Sequence, residues 1–182
     1  MRMIRNTIYI KVLWPGYTVQ SASMCGQAPE GGDMAQLHQW RWITDHKQQY
    51  LEDPEAAHDW DAAPAGRPGL VPTLLLRTRG RKSGTWQSSP LLYQPCGVGF
   101  IIVGSRGGSD KHPAWFLNMQ ADPNCRVQVG RFAYSATARV LEGEERQRYW
   151  EMMASFWPDY AAYQQRTERL IPVVQLEATR AD

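Results

Sequence analysis

The sequence predicts one mainly β domain with flanking helices, an α+β fold in which about six short antiparallel strands curl into a closed or partly closed barrel. Three observations carry that expectation. From Thr73 onward, short apolar runs are split by Gly and Pro at strand-like intervals. Residues 132–140 alternate strictly, with Phe132, Tyr134, Ala136, Ala138 and Val140 on one face. Few helical stretches lie between the runs, so the strands need closure to remove their exposed edges.

The composition is that of an ordinary globular protein. With 182 residues, 43% hydrophobic and 21% charged, the chain has room for one domain with a real core. Eight Trp and eight Tyr form a surplus of rings that combine apolar area with a polar tip, which suits both packing and the holding of flat ligands. A net charge of +2 is too small to imply a nucleic-acid partner, so the distribution of basic residues matters more than their sum. Cys25, Cys96 and Cys125 lack metal-like spacing and read as unpaired thiols in a reducing cytoplasm, and His38, His46, His58 and His112 form no ligand pair, so no metal is expected. No apolar run is long enough to cross a bilayer. Near the N-terminus, Lys11 and Pro15-Gly16 interrupt what would be the apolar part of a secretory signal, so residues 1–33 read as a disordered extension and residues 34–182 as the domain. Met34, directly before a helical stretch, marks a natural point for translation to begin.

Asp33 caps the first expected helix, in which Leu37, Trp40, Ile43, Tyr50 and Leu51 recur at helical spacing up to Asp53-Pro54. Residues 53–72, rich in Pro and Gly and without periodicity, are expected to be a connecting loop. Strands follow at 73–79, 86–94 and 100–104. Pro113 opens a short helix to Ala121, and 125–129 and 132–140 form a hairpin about Gly130-Arg131. A helix over 142–157 breaks at Pro158, a second helical piece runs from Asp159 to Glu168, and a last strand covers 171–177.

The residues able to carry chemistry fall in three places. In the basic segment 77–84, Arg77 and Arg79 share a strand face, and Gly80 and Gly84 bracket a turn in which Arg81, Lys82 and backbone N–H groups can converge on an anion. The same spacing suits a solvated basic strand end, and its arginine-glycine texture also resembles a minor-groove hook. Ser105-Arg106-Gly107-Gly108 follows a strand directly, either as a plain turn or as a place where a ligand approaches the backbone. Trp115 and Asn118 share a helix face and could flank a heterocycle, while Trp157, Tyr160 and Tyr163 around the proline break suit a pocket wall or a core. No nucleophile elbow or triad is present, which disfavours hydrolase chemistry.

Together these segments resemble the deazaflavin-dependent nitroreductase family, over roughly Leu37 to Glu177. The marks are 72–76, Gly80-Arg81-Lys82-Ser83-Gly84, Ser89-Pro90-Leu91 with Tyr93, the 104–118 segment, Trp157-Pro158-Asp159-Tyr160 with Tyr163, and 169–174. The resemblance implies an FMN-binding-like split β-barrel and a hydride transfer from reduced coenzyme F-420 to an electron-poor acceptor, with quinones ranked before nitro compounds and activated alkenes. It implies that the anionic tail of the coenzyme lies against Arg81, Lys82 and Ser83. Ser89, Pro90, Leu91, Tyr93, Ser105, Arg106, Gly107, Gly108, Ala114, Trp115 and Asn118 are implied around the remainder of the coenzyme. Ser105, Tyr160 and Tyr163 are the implied donors to developing negative charge, and Trp157, Tyr160 and Tyr163 the implied acceptor pocket. Arg106 stands where relatives commonly have Lys, and Trp157 where the nitroimidazole-reducing member has Tyr. The alternatives are FMN in the same barrel, a noncatalytic deazaflavin carrier and, last, a nucleic-acid binder. The expected location is the cytoplasm, with peripheral contact at the inner membrane face and no membrane span.

Overall fold

A computed structural model describes residues 34–180, with side chains for 43–179. The expectations for residues 1–33, including Cys25 and the Asp33 cap, and those for the side chains of Leu37, His38 and Trp40 lie outside these residues.

Helix α1 (Met34–Glu52) stops at Asp53, which also starts the next element. The Asp53 carboxylate accepts a hydrogen bond from Ala56 N at 3.1 Å, and Pro54 occupies the first turn of α2 (Pro54–His58), where its missing N–H costs nothing. Strand β1 (Asp59–Asp61) and a 3-10 turn (Ala63–Ala65) follow. The loop expected over 53–72 is therefore corrected: it holds a capped helix, a strand, a 3-10 turn and the start of β2 (Leu70–Arg79). A three-residue strand has too little periodicity to show in sequence, and β1 is specified by its partner, with Trp60 opposite Val71.

The remaining strands are β3 (Trp86–Leu92), β4 (Gln94–Cys96), β5 (Gly99–Val103), β6 (Asn124–Val129), β7 (Phe132–Val140) and β8 (Val173–Arg180). All pairings are antiparallel, and hydrogen bonding runs β3-β2-β6-β7-β8-β5-β4. The single residue Tyr93 joins β3 to β4, the two ends of that path. One extended segment thus pairs with β2 before the bend and with β5 after it, and the sheet must curl on itself to allow this. The result is the split barrel, made of the six expected strand regions with β1 added and the second expected strand divided at Tyr93.

Alternation sorts the strand residues. Leu74, Leu76, Phe100, Ile102, Val127, Val174 and Leu176 point into the barrel, where Tyr93 and the α3 (Ala114–Ala121) residues Trp115, Phe116 and Met119 complete the core. Leu75 points outward onto Tyr50 and Ala57. Ile101, Val103 and Val173 point outward onto a second cluster with Met153 of α4 (Gly143–Phe156), Trp157, and Tyr160 of α5 (Asp159–Gln165). Burial of each such aliphatic side chain contributes roughly 1.5–3 kcal/mol. No helix among the described residues is long and apolar enough to cross a membrane.

Candidate functional site

The barrel wall, α3 and α5 enclose a cavity of about 590 Å³. Its floor is the far end of β3. Ser89, Pro90, Leu91 and Leu92 line it, and β3 pairs on one side only, with β2. Pro90 lacks an N–H, so it is tolerated at such an edge, where no further strand needs a donor. Ala114, Trp115 and Leu117 contribute from α3, Trp60 from β1 and Ile43 from α1.

The opposite wall is aromatic. Trp157, Tyr160 and Tyr163 all face the cavity. Pro158 ends α4 and lets the indole turn in, and Arg67 holds it there, its guanidinium 5.2 Å from the ring centroid and 2.6 Å from Asp159. Tyr160 and Tyr163 meet edge to face at 6.2 Å. Burial raises both phenol pKa values, so both keep their protons at neutral pH and are able to donate a hydrogen bond.

The rim is cationic. Arg81, Arg106 and Lys111 line the cavity together with Ser105, Gly107 and His112, and no Asp or Glu is among the lining residues. Arg81 is set by α3: Asn118 Oδ1 accepts from its backbone N–H at 3.1 Å and from its Nη1 at 3.3 Å, while Asn118 Nδ2 donates to Thr78. Lys82 and Ser83 continue this exposed turn outside the cavity lining, and the Ser83 hydroxyl bonds Thr85 at 2.8 Å. Arg77 and Arg79 leave by the outer sheet face, where Arg79 and Arg126 each lie 4.9 Å from the Trp86 ring centroid.

The 105–112 loop is tightly wound. Arg106, Gly107 and Gly108 have φ values of 48°, 64° and 83°, a left-handed run that only glycine adopts freely. Gly107 faces the cavity. At Gly108 a Cβ would lie 2.7 Å from the Tyr163 carbonyl oxygen, so that glycine serves the close packing of the loop on α5. Arg169 ties the loop down, donating to the carbonyls of Gly104 (3.1 Å), Ser105 (2.6 Å) and Ser109 (2.7 Å).

The structure thus brings twelve of the sequence-derived residues to one cavity: Arg81, Ser89, Pro90, Leu91, Ser105, Arg106, Gly107, Ala114, Trp115, Trp157, Tyr160 and Tyr163. Tyr93 instead fills the barrel interior against Phe100, and Lys82, Ser83, Gly108 and Asn118 support or flank the lining. Sequence reasoning missed Ile43, Trp60, Leu92, Val103, Lys111, His112, Pro113 and Leu117 as lining residues and Arg169 as the loop clamp.

A family model described as F420H(2)-dependent quinone reductase matches residues 56–178. The chain belongs to that family. An F420H(2)-dependent quinone reductase of Mycobacterium tuberculosis is 35% identical over 112 residues, which cover 60% of this chain and 75% of the relative. Among solved structures, one titled as an F420-H2 dependent reductase is 42% identical, covers 58% of this chain and 93% of its own, and has a TM-score of 0.54. Another, titled as a domain-swapped dimer, is 36% identical, covers 76% of this chain and 99% of its own, and has a TM-score of 0.55. The family name specifies an enzyme, its reduced coenzyme and a small-molecule acceptor. The cavity residues of this family member fit such a coenzyme. Arg81 and its neighbouring cations suit an anionic tail, and Trp115 and the β3 edge offer flat apolar surface for a ring system.

Proposed function

We propose that this chain transfers a hydride from reduced coenzyme F-420 to a quinone. The observation that carries the reading is the cavity itself: aromatic on one wall, cationic and free of carboxylates at the rim, and, at about 590 Å³, within the size range of small-molecule sites. When bound, the reduced deazaflavin supplies the hydride. Arg81, with Lys82 and Ser83 on the same turn, holds the acidic tail by charge-assisted hydrogen bonds, and Asn118 keeps Arg81 in place. Ser105 to Gly107, Ala114 and Trp115 bound the ring's end of the cavity.

The acceptor lies against Trp157, Tyr160 and Tyr163. Quinone reduction places negative charge on a carbonyl oxygen, and a phenol that cannot ionise near neutral pH stabilises that charge by donating a hydrogen bond. The Ser105 hydroxyl, which has no partner among the described residues, is a further donor. Trp157 has no hydroxyl, which favours stacking of a planar quinone over protonation of a reduced nitro group. The reaction is placed in the cytoplasm, with peripheral contact at the inner membrane face where the quinone is a lipid.

Fluorescence titration of the purified chain with coenzyme F-420 tests the binding half of this reading. Saturable binding that weakens with salt supports it. A tightly bound flavin spectrum with no uptake of the deazaflavin contradicts it and assigns the cavity to FMN.

A further inference from the structure

His112 lies on the cavity wall with its ring 4.8 Å from that of Phe116. Its Nδ1 is 3.3 Å from Nη1 of Arg169. A guanidinium can only donate, so Nδ1 accepts, and a neutral ring in this contact carries its proton on Nε2. Arg169 cannot swing away to relax the arrangement, because the carbonyls of Gly104, Ser105 and Ser109 hold it. Nε2 has no partner among the described residues and is not a sealed, unsatisfied atom. The ring therefore presents a fixed N–H donor without an internal acceptor, on the wall of the cavity that also holds the Ser105 hydroxyl.

Resting on the quinone-reductase reading, we propose that His112 is a catalytic residue that donates a hydrogen bond from Nε2–H to the acceptor oxygen gaining negative charge, and that Arg169 is the positioning residue that fixes this tautomer. The groups that face the imidazole agree with a neutral ring. Arg169 stands at Nδ1, Arg106 Nη1 donates to the His112 carbonyl at 3.3 Å, Lys111 precedes it, and the nearby Asp110 carboxylate is engaged by Thr167 Oγ1 at 2.8 Å. Burial first, and then the Arg169 charge, hold the imidazole below its ordinary pKa. A neutral imidazole suffices for this role, because with Nδ1 accepting from Arg169 it keeps an N–H at Nε2 to donate and needs no proton from solvent.

The balance is simple. Hydride delivers two electrons and one hydrogen to the quinone, giving the hydroquinone monoanion, and solvent supplies the one proton that completes the hydroquinone. His112 keeps its proton throughout.

Two measurements test this. Nitrogen NMR of labelled imidazole in the full chain, without coenzyme, is expected to show His112 neutral and protonated at Nε2 from about pH 8 down to neutral pH. An Nδ1–H tautomer, or an imidazolium near neutral pH, overturns the proposal. The second compares turnover with a soluble naphthoquinone. The amide nitrogen of Gln falls near Nε2 and that of Asn near Nδ1, so H112N and H112F should lose roughly tenfold to a hundredfold in kcat with coenzyme Kd unchanged, and H112Q should lose less than either. Wild-type kcat in H112N, or equal losses in H112Q and H112N accompanied by weaker coenzyme binding, overturns it. A wild-type chain that leaves reduced coenzyme unoxidised removes the functional reading and this proposal together, whereas an active wild type beside an active H112N removes this proposal alone.

Discussion

Asn118 Oδ1 accepts from both the backbone N–H and the guanidinium of Arg81, at 3.1 and 3.3 Å, so one buried amide on α3 sets the position of the cation at the mouth of the cavity. Replacing Asn118 with Leu removes these bonds and leaves the buried Thr78 hydroxyl without its partner, at a cost of about 1–3 kcal/mol. N118L should lower Tm and weaken coenzyme binding together. R81A, at an exposed side chain, should weaken binding by about tenfold or more without lowering Tm. Fluorescence titration and thermal melts separate the two, and unchanged affinity in folded R81A would remove the anion cradle.

The aromatic wall makes a kinetic prediction. Y160F keeps the ring packed against Tyr163 and deletes one donor, so it should preserve coenzyme affinity and slow quinone turnover. W157Y adds a hydroxyl to the same wall and should shift preference toward nitro compounds. Wild-type acceptor kinetics in both, with stability intact, would mean that these rings only pack.

Gly108 can be tested by addition of one methyl group. In G108A the new Cβ meets backbone at 2.7 Å (Tyr163 O) and 3.1 Å (Tyr163 Cα), and φ is +83°, so α5 must move. A loss of about 2 kcal/mol or more is expected, with quinone turnover reduced because Tyr163 moves as well. Gly66 supplies the control. It has φ +76° but open space around its Cβ position, so G66A should cost only about 1 kcal/mol and spare activity.

Acid should loosen α1 from the barrel. His46 is buried with Nε2 3.0 Å from the Thr73 hydroxyl, and that hydroxyl already donates to a backbone carbonyl, so it accepts the Nε2–H. Burial, partly offset by Gln49, holds the His46 pKa below the ordinary 6.5. The unfolded chain therefore takes up the proton first. The stability from this neutral ring is complete above about pH 6.5 and is lost as pH falls through the lower folded value. His112 acts with the same sign. H46Q keeps a donor for Thr73 but cannot titrate, so denaturant unfolding between about pH 7 and 5 should depend less on pH in the variant than in wild type. Equal slopes would show that His46 is not the titrating group.

Local pattern made the strands and the main helices legible, because alternation and proline stops are properties of neighbours in sequence. The hairpin at 124–140 is the clearest case. What stayed hidden was set at a distance. The Arg67–Asp159 pair that props Trp157 spans 92 positions, and the Arg169–His112 contact spans 57, so no window of sequence contains either. Trp60 read as part of a loop because the strand that carries it is specified by residues 70–72. Tyr93 belongs to a motif that lines the cavity with its neighbours, yet the bend between β3 and β4 turns its own ring into the barrel core.

The most direct test of the central claim is anaerobic mixing of reduced coenzyme F-420 and a naphthoquinone with a trace of the purified chain, followed by absorbance. The account predicts that oxidised deazaflavin appears in step with quinone loss, at a rate proportional to the chain and strongly reduced in R81A at subsaturating coenzyme. Coenzyme that binds yet stays reduced in the presence of quinone would contradict it and leave a carrier in place of an enzyme.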